Sequence, residues 1–234
     1  MSKDLTENKK NEMVVDSGLN RGFESKDIDQ SDLIIPRAKL LQKLSPEVDE
    51  GMKPGQIINS LTKEALPEEF IPIFVFKNYI RFNLKNTDDP NFDSGFEPGA
   101  IMWRSNDYLD EKVQKETKFG SNGEKPLATT FMNFFSYFPG ISMPIIISFS
   151  KTSYKAGKQL LSLAKFSGGD MFGKKYKLQS HKETNDIATY FVLKTAVSGK
   201  PTADELKRCE SWWNEYSQKQ IIVHEEEVVE EKNY

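Results

Sequence analysis

Thiols and imidazoles are nearly missing from this chain. A single cysteine, Cys209, stands among 234 residues. It has no partner for an internal disulfide, which fits a reducing compartment. His181 and His224 are the only histidines, so a zinc site of the usual Cys/His spacing is excluded. A hydrolase triad would have to recruit a histidine set among lysines or one in an acidic end. No apolar run approaches the ~18 residues of a membrane helix. The opening stretch MSKDLTENKKNEMVVDSG lacks the apolar centre of a signal peptide. Gly168-Gly169 and Gly173 precede Lys174-Lys175 without the spacing of a phosphate-binding loop. Asp88, Asp89, Asp93, Asp107 and Asp110 are scattered through loop text and read as solvated charge rather than as a metal-dependent nuclease site. The expectation is a cytoplasmic protein that is not an enzyme, with no catalytic residues, metal, cofactor or membrane contact.

Aromatics are what the chain has in quantity: 16 Phe, 8 Tyr and 3 Trp, placed mostly between Phe70 and Trp213. That span is the expected folded part. The net charge of −3 hides an ordered distribution. Residues 1–33 carry −3, residues 34–70 carry −1, residues 71–182 carry +6 and residues 183–234 carry −5. A basic body therefore lies between acidic ends. Its densest part is Lys151–Lys182, with eight lysines against one acid, Asp170. At about 100° per residue, Lys151, Lys155, Lys158 and Lys165 fall within roughly an 80° sector of a helix. Ala156, Leu160, Leu163 and Ala164 lie opposite and are expected to pack on a core. A strand carrying Lys174, Lys175 and Lys177 follows the glycine pair. Two adjoining basic elements are an electrostatic footprint for a polyanion.

In chain order, residues 1–31 are polar and without period, and are expected to be disordered. One folded domain is expected over residues 32–220. Pro36 disfavours a helix, so Arg37–Leu44 reads as extended, before a turn at Pro54-Gly55 and a strand at Gln56–Asn59. Phe70–Phe82 alternates with period two: Phe74, Phe76, Ile80 and Phe82 on one side, and Ile73, Val75, Lys77, Tyr79 and Arg81 on the other. A long loop leads to a strand at Ala100–Arg104, and a helical turn is expected around Tyr108–Lys115. Leu127–Phe138 and Met143–Ser150 read as a hairpin about Pro139-Gly140. After the lysine helix (152–165), Lys174–Lys182 and Asp186–Val197 form a second hairpin. Thr202 and Glu205 spell a capping box, opening a helix over 202–220. The fold class is mostly β, a β barrel with added helices. The OB-fold, with its helix inserted between strands three and four, accommodates the order. An α+β sandwich is the alternative.

Basic and aromatic residues alternate along this framework. Lys77, Tyr79 and Arg81 share a strand face; Trp103 adjoins Arg104; Tyr154 adjoins Lys155; Tyr176 sits between Lys175 and Lys177. Single-stranded nucleic acid needs this mixture, with cations along the phosphates and flat rings stacked on exposed bases. Any one pair reads equally as a strand alternating core and solvent positions. The whole set, with Lys151, Lys155, Lys158 and Lys165 added, favours nucleic-acid binding.

The chain closes with IIVHEEEVVEEKNY, expected to be a flexible acidic tail over 221–234. Glu225, Glu226, Glu227, Glu230 and Glu231 precede a terminal Tyr234. The layout of basic groove, acidic end and final aromatic resembles the small single-stranded DNA-binding proteins of tailed phages. The wording from Ile35-Pro36-Arg37 to Lys53-Pro54-Gly55 is similar to proteins encoded in phage replication and recombination gene clusters. The resemblance implies an OB-type protein in the host cytoplasm that coats single-stranded DNA. It also implies a tail that competes with DNA for the groove and recruits replication or recombination proteins. Self-association as a homodimer is left open. The alternatives are a non-enzymatic interaction factor, such as a host-factor inhibitor or virion component, and less favourably a nuclease or annealing recombinase.

Overall fold

The computed structural model of the chain describes residues 34–186, 188–219, 221 and 223. The expected disordered segment 1–31 and the acidic tail residues lie outside them. Within the described residues the chain begins with β1 (Ala38–Leu40), a short helix α1 (Pro46–Asp49) and β2 (Ile57–Asn59). The long β3 (Glu69–Phe82), β4 (Ile101–Ser105), α2 (Glu111–Glu116), β5 (Ala128–Tyr137) and β6 (Ile145–Phe149) follow. A 3-10 turn at Lys151–Ser153 leads into α3 (Tyr154–Phe166). After a second such turn at Met171–Gly173 come β7 (Lys175–Thr184), β8 (Thr189–Gly199) and α4 (Ala203–Tyr216).

β3 is the centre because its alternation supplies an apolar residue to each face. It pairs antiparallel with β5 along nearly its whole length. Its other edge is shared: β4 pairs with Tyr79–Phe82 at one end, and β7 with Glu69 and Phe70 at the other. The resulting sheet runs β6-β5-β3-β7-β8 with β4 beside β3, and β1-β2 form a separate pair. The architecture is mostly β, an antiparallel sheet with helices. Among the described residues no ladder joins β8 back to β6, so the barrel closure expected of an OB-fold is not seen.

Both faces of the sheet are covered. On one side α3 packs against β5, β6 and β8. Ala156, Leu160 and Ala164 there meet Phe70, Met132, Phe134, Phe149, Tyr176 and Leu193. Helix and sheet approach so closely that a Cβ on Gly157 would come 2.7 Å from Phe149, which is why a glycine stands mid-helix despite its cost there. On the other side α4 lies against β3, burying Cys209 among Ile71, Ile73, Phe135, Tyr137 and Ile146. Burial pushes the Cys209 thiol up to about 12, as expected of a small core residue. The Thr202–Glu205 capping box forms as the sequence predicts.

Two expectations are corrected. A register shift between Pro72 and Phe74 turns Ile73 to the α4 side with Phe74 and Phe76, away from Val75. A bulge resets the period that simple alternation assumes. Leu163 is 36% exposed rather than core, because the buried stripe of α3 runs through Ala156, Gly157, Leu160 and Ala164.

Candidate nucleic-acid interface

The exposed face of α3 carries Lys155, Lys158, Ser162, Lys165 and Phe166. From Ser150 to Gly169 the sequence holds no acid, so nothing on this helix neutralises the lysines. Among the described residues none of Lys155, Lys158 and Lys165 forms an ion pair. Lys151, exposed at the root of the helix, takes a left-handed φ of 43°, a strained conformation for a residue other than glycine.

An aromatic cluster adjoins the first turn of α3. Tyr154 is half-buried, and Lys158 Nζ lies 5.6 Å from its ring centroid, within cation–π range. Tyr79 of β3 sits beneath. Burial raises its phenol pKa first, and the nearby Tyr154, Tyr108 and Asp107 raise it further. The Tyr79 and Tyr108 rings are 5.8 Å apart. Tyr79 is buried whereas Tyr108 is 50% exposed, so Tyr108 presents the accessible ring of that pair. Lys77 lies on the same face of β3 two residues away and is exposed.

Arg81 and Trp103 belong to this side of the sheet but are engaged with each other's neighbours. They are register partners across β3 and β4. Glu116 Oε2 accepts from Arg81 Nη1 at 3.4 Å and from Trp103 Nε1 at 3.2 Å. Lys112 Nζ stands 5.3 Å from the Trp103 ring, and Arg81 Nη2 donates to the Asn91 carbonyl at 3.1 Å. This knot ties α2 and the loop after β3 to the sheet. Arg104, one residue on, points to the opposite face, and its Nη1 donates to the Val223 carbonyl at 3.3 Å.

The second basic strand is not part of the α3 face. Tyr176 is fully buried and tilted against Phe70 at 6.0 Å between centroids; it is a core residue. Lys175 Nζ reaches Glu205 at 2.8 Å and Glu69 at 3.8 Å, and the bond to Glu205 raises its pKa. Lys177 pairs opposite Glu69 in the ladder, and Lys174 is half-buried beside it. The fold thus gathers Lys77, Tyr79, Tyr154, Lys155, Lys158 and Lys165, with Lys151 at the helix root. It separates them from Arg104 and from Lys174–Lys177.

Sequence reasoning missed Tyr108 and Phe166. Phe166 had a signal: eleven residues after Lys155, it returns to within about 20° of it on the helix. The tail residues Glu225, Glu226, Glu227, Glu230, Glu231 and Tyr234 lie outside the described residues. The core nonetheless extends past residue 220, because Ile221 and Val223 are buried against the α4-side cluster.

No described helix is long and apolar enough to cross a membrane. Among the described residues no three of His, Cys, Asp and Glu are grouped to hold a metal ion. No curated protein and no solved structure matches the chain. A family model described as "Pam3 phage gp34-like protein" matches residues 6–221, a span that takes in every strand and helix above. The protein therefore belongs to the Pam3 phage gp34-like family.

Proposed function

We propose that this is a phage protein that binds single-stranded DNA without acting on it chemically, holding the strand along the exposed face of α3. The observation that carries the reading is the acid-free row Lys155, Lys158 and Lys165 running away from the Tyr79–Tyr108–Tyr154 cluster. Ammonium groups that form no ion pair among the described residues release counterions when they neutralise phosphates. Accessible rings beside them accept unstacked bases. In this proposal the protein coats and protects the strand, and its acidic end competes for the lysine face and recruits replication or recombination proteins. The OB-like relationship belongs to the same proposal. The Pro36–Gln42 segment touches both outer strands of the sheet, through Ile146 on β6 and Phe191 on β8, where a barrel would close.

The test is a salt titration with matched single- and double-stranded oligonucleotides, using the wild-type chain and the triple variant Lys155→Glu, Lys158→Glu, Lys165→Glu. Wild type should prefer the single strand. The variant should bind every sequence more weakly, with a log–log salt slope shallower by roughly 2, about 0.7 for each lost phosphate contact. Its melting temperature should hold, since all three side chains are exposed. Equal affinity of variant and wild type would remove α3 from the interface.

A further inference from the structure

We infer that Phe166 is a second base-stacking residue, so that a single strand is gripped by rings at both ends of α3 with its phosphates over the lysines between. The inference rests on the single-strand reading above and adds to it a residue and a direction. Phe166 is 87% exposed, more than any other large apolar side chain among the described residues. Its surroundings are kept clear. Gly168 and Gly169 take left-handed φ values of 73° and 74°, and a Cβ on either would meet nothing within 4 Å. The Ser167 hydroxyl turns back to the Leu163 carbonyl, so it does not cover the ring either.

Scattered exposed apolar residues are ordinary on soluble proteins, so exposure alone would not mark this one. Its company does. Phe166 ends the face that carries Lys155, Lys158 and Lys165, and no acid lies within that stretch. Tyr154 begins the same helix and already stands under Lys158. Twelve residues separate the two rings, about 18 Å of helix. Charge complementarity selects a polyanion for this face, and rings at either end select one whose repeating units are flat. Single-stranded nucleic acid meets both conditions. A paired duplex does not, because its bases are already stacked.

The experiment measures binding of the full chain to dT20 and to U20 at about 0.1 M salt, where screening is partial. It compares wild type, Phe166→Ala and Phe166→Trp. Removing one stacked base contact should weaken binding on the order of 10-fold. The salt slope should not change, because no charge is lost, and neither should the melting temperature. Phe166→Trp should restore binding, with its added fluorescence quenched by the oligonucleotide. Loss on dT20 alone assigns the site to DNA, and loss on U20 alone to RNA. If wild type binds and Phe166→Ala binds equally well, the stacking role is overturned while the single-strand reading stands. If wild type binds neither oligonucleotide, both fall. If Phe166→Ala changes only the sedimentation of the free protein, the ring is a contact between copies and the inference is overturned.

Discussion

The side-chain amide of Gln42 satisfies both backbone groups of Phe191. Its Oε1 accepts from the Phe191 N–H at 2.9 Å, and its Nε2 donates to the Phe191 carbonyl at 2.9 Å. Phe191 lies on β8, an outer strand of the sheet, so one amide stands in for a missing strand partner. A few residues earlier, the Pro36 carbonyl accepts from the Ile146 N–H of β6 at 2.9 Å. The same short segment thereby ties down both outer strands. Gly55 completes the contact: a Cβ there would come 2.6 Å from the Phe191 ring, and its φ of +87° is a conformation glycine adopts freely.

Gln42→Ala should therefore cost about 2 kcal/mol, because it strands a donor and an acceptor in a partly buried place. Gly55→Ala should cost at least as much through strain and collision. Urea denaturation midpoints should fall in both variants with the m-value unchanged. An unchanged midpoint for Gln42→Ala would mean that water replaces the amide without loss.

Glu47 makes stability depend on acid. It is buried, with Lys63 at 2.9 Å and Lys39 at 3.0 Å from the same oxygen. Burial pushes its pKa up, but the hydrogen bonds from Lys63 and Lys39 outweigh this and hold it down to about 2. A depressed folded pKa gives stability that is complete above the unfolded value near 4.5 and lost as pH falls toward 2. Glu47→Gln should destabilise the protein at pH 7 by at most about 3 kcal/mol. The difference from wild type should shrink through pH 4 and vanish near pH 2. A constant gap across that range would show that the carboxylate charge contributes nothing.

Most of the β framework is legible in the sequence because period-two runs end at strong turn signals. Leu127–Phe138 and Met143–Ser150 correspond to β5 and β6, and the Thr202 capping box to the start of α4. What alternation could not show is a sheet buried on both faces. In such a sheet the face of a strand no longer separates core from solvent, so Tyr79 and Arg81 turned out buried. Nor could it show that β4 and α2 would cover that end of β3. Tyr176, a ring between two lysines, looked like Tyr154, a ring beside one; the pairing of β7 with β3 sends Tyr176 to the core, whereas Tyr154 at the start of α3 stays half-buried. Arg104 follows from strand geometry once β4 is paired, since its neighbour Trp103 occupies the opposite face. Ile221 and Val223 read as tail because five glutamates follow closely, yet both side chains are buried.

The tyrosine cluster separates stability from binding. Tyr79→Ala removes a buried ring and should cost about 3 kcal/mol of stability. Tyr108→Ala, at a half-exposed position, should leave the melting temperature within a degree or two while weakening single-strand binding about 5- to 10-fold. Paired thermal melts and oligonucleotide titrations measure both effects. Full affinity in Tyr108→Ala would confine the rings to a structural role.

The C-terminal end allows a two-step truncation. Ile221 and Val223 are buried, and Arg104 holds the Val223 carbonyl, so the acidic residues begin directly after an anchored segment. Cutting after Val223 removes five glutamates and no described core residue; the melting temperature should hold. Cutting after Lys219 also removes Ile221 and Val223, exposes part of the cluster around Phe74, Phe76 and Trp212, and should cost about 3–6 kcal/mol from two lost apolar side chains. DNA binding then isolates the tail itself. The anchor lies on the α4 side of the sheet, whereas the lysines lie on the α3 side. Eleven residues fully extended reach at most ~40 Å, enough to pass around an edge of the sheet. If the glutamates compete for the lysine face, the protein cut after Val223 should bind single strands more tightly than the full chain. The gain should be largest at low salt and fade as the Debye length shortens. Tyr234→Ala in the full chain keeps every carboxylate, so it should leave that affinity unchanged and weaken only the capture of partner proteins. Equal or weaker binding by the protein cut after Val223 at low salt would show that the tail does not reach the lysine face.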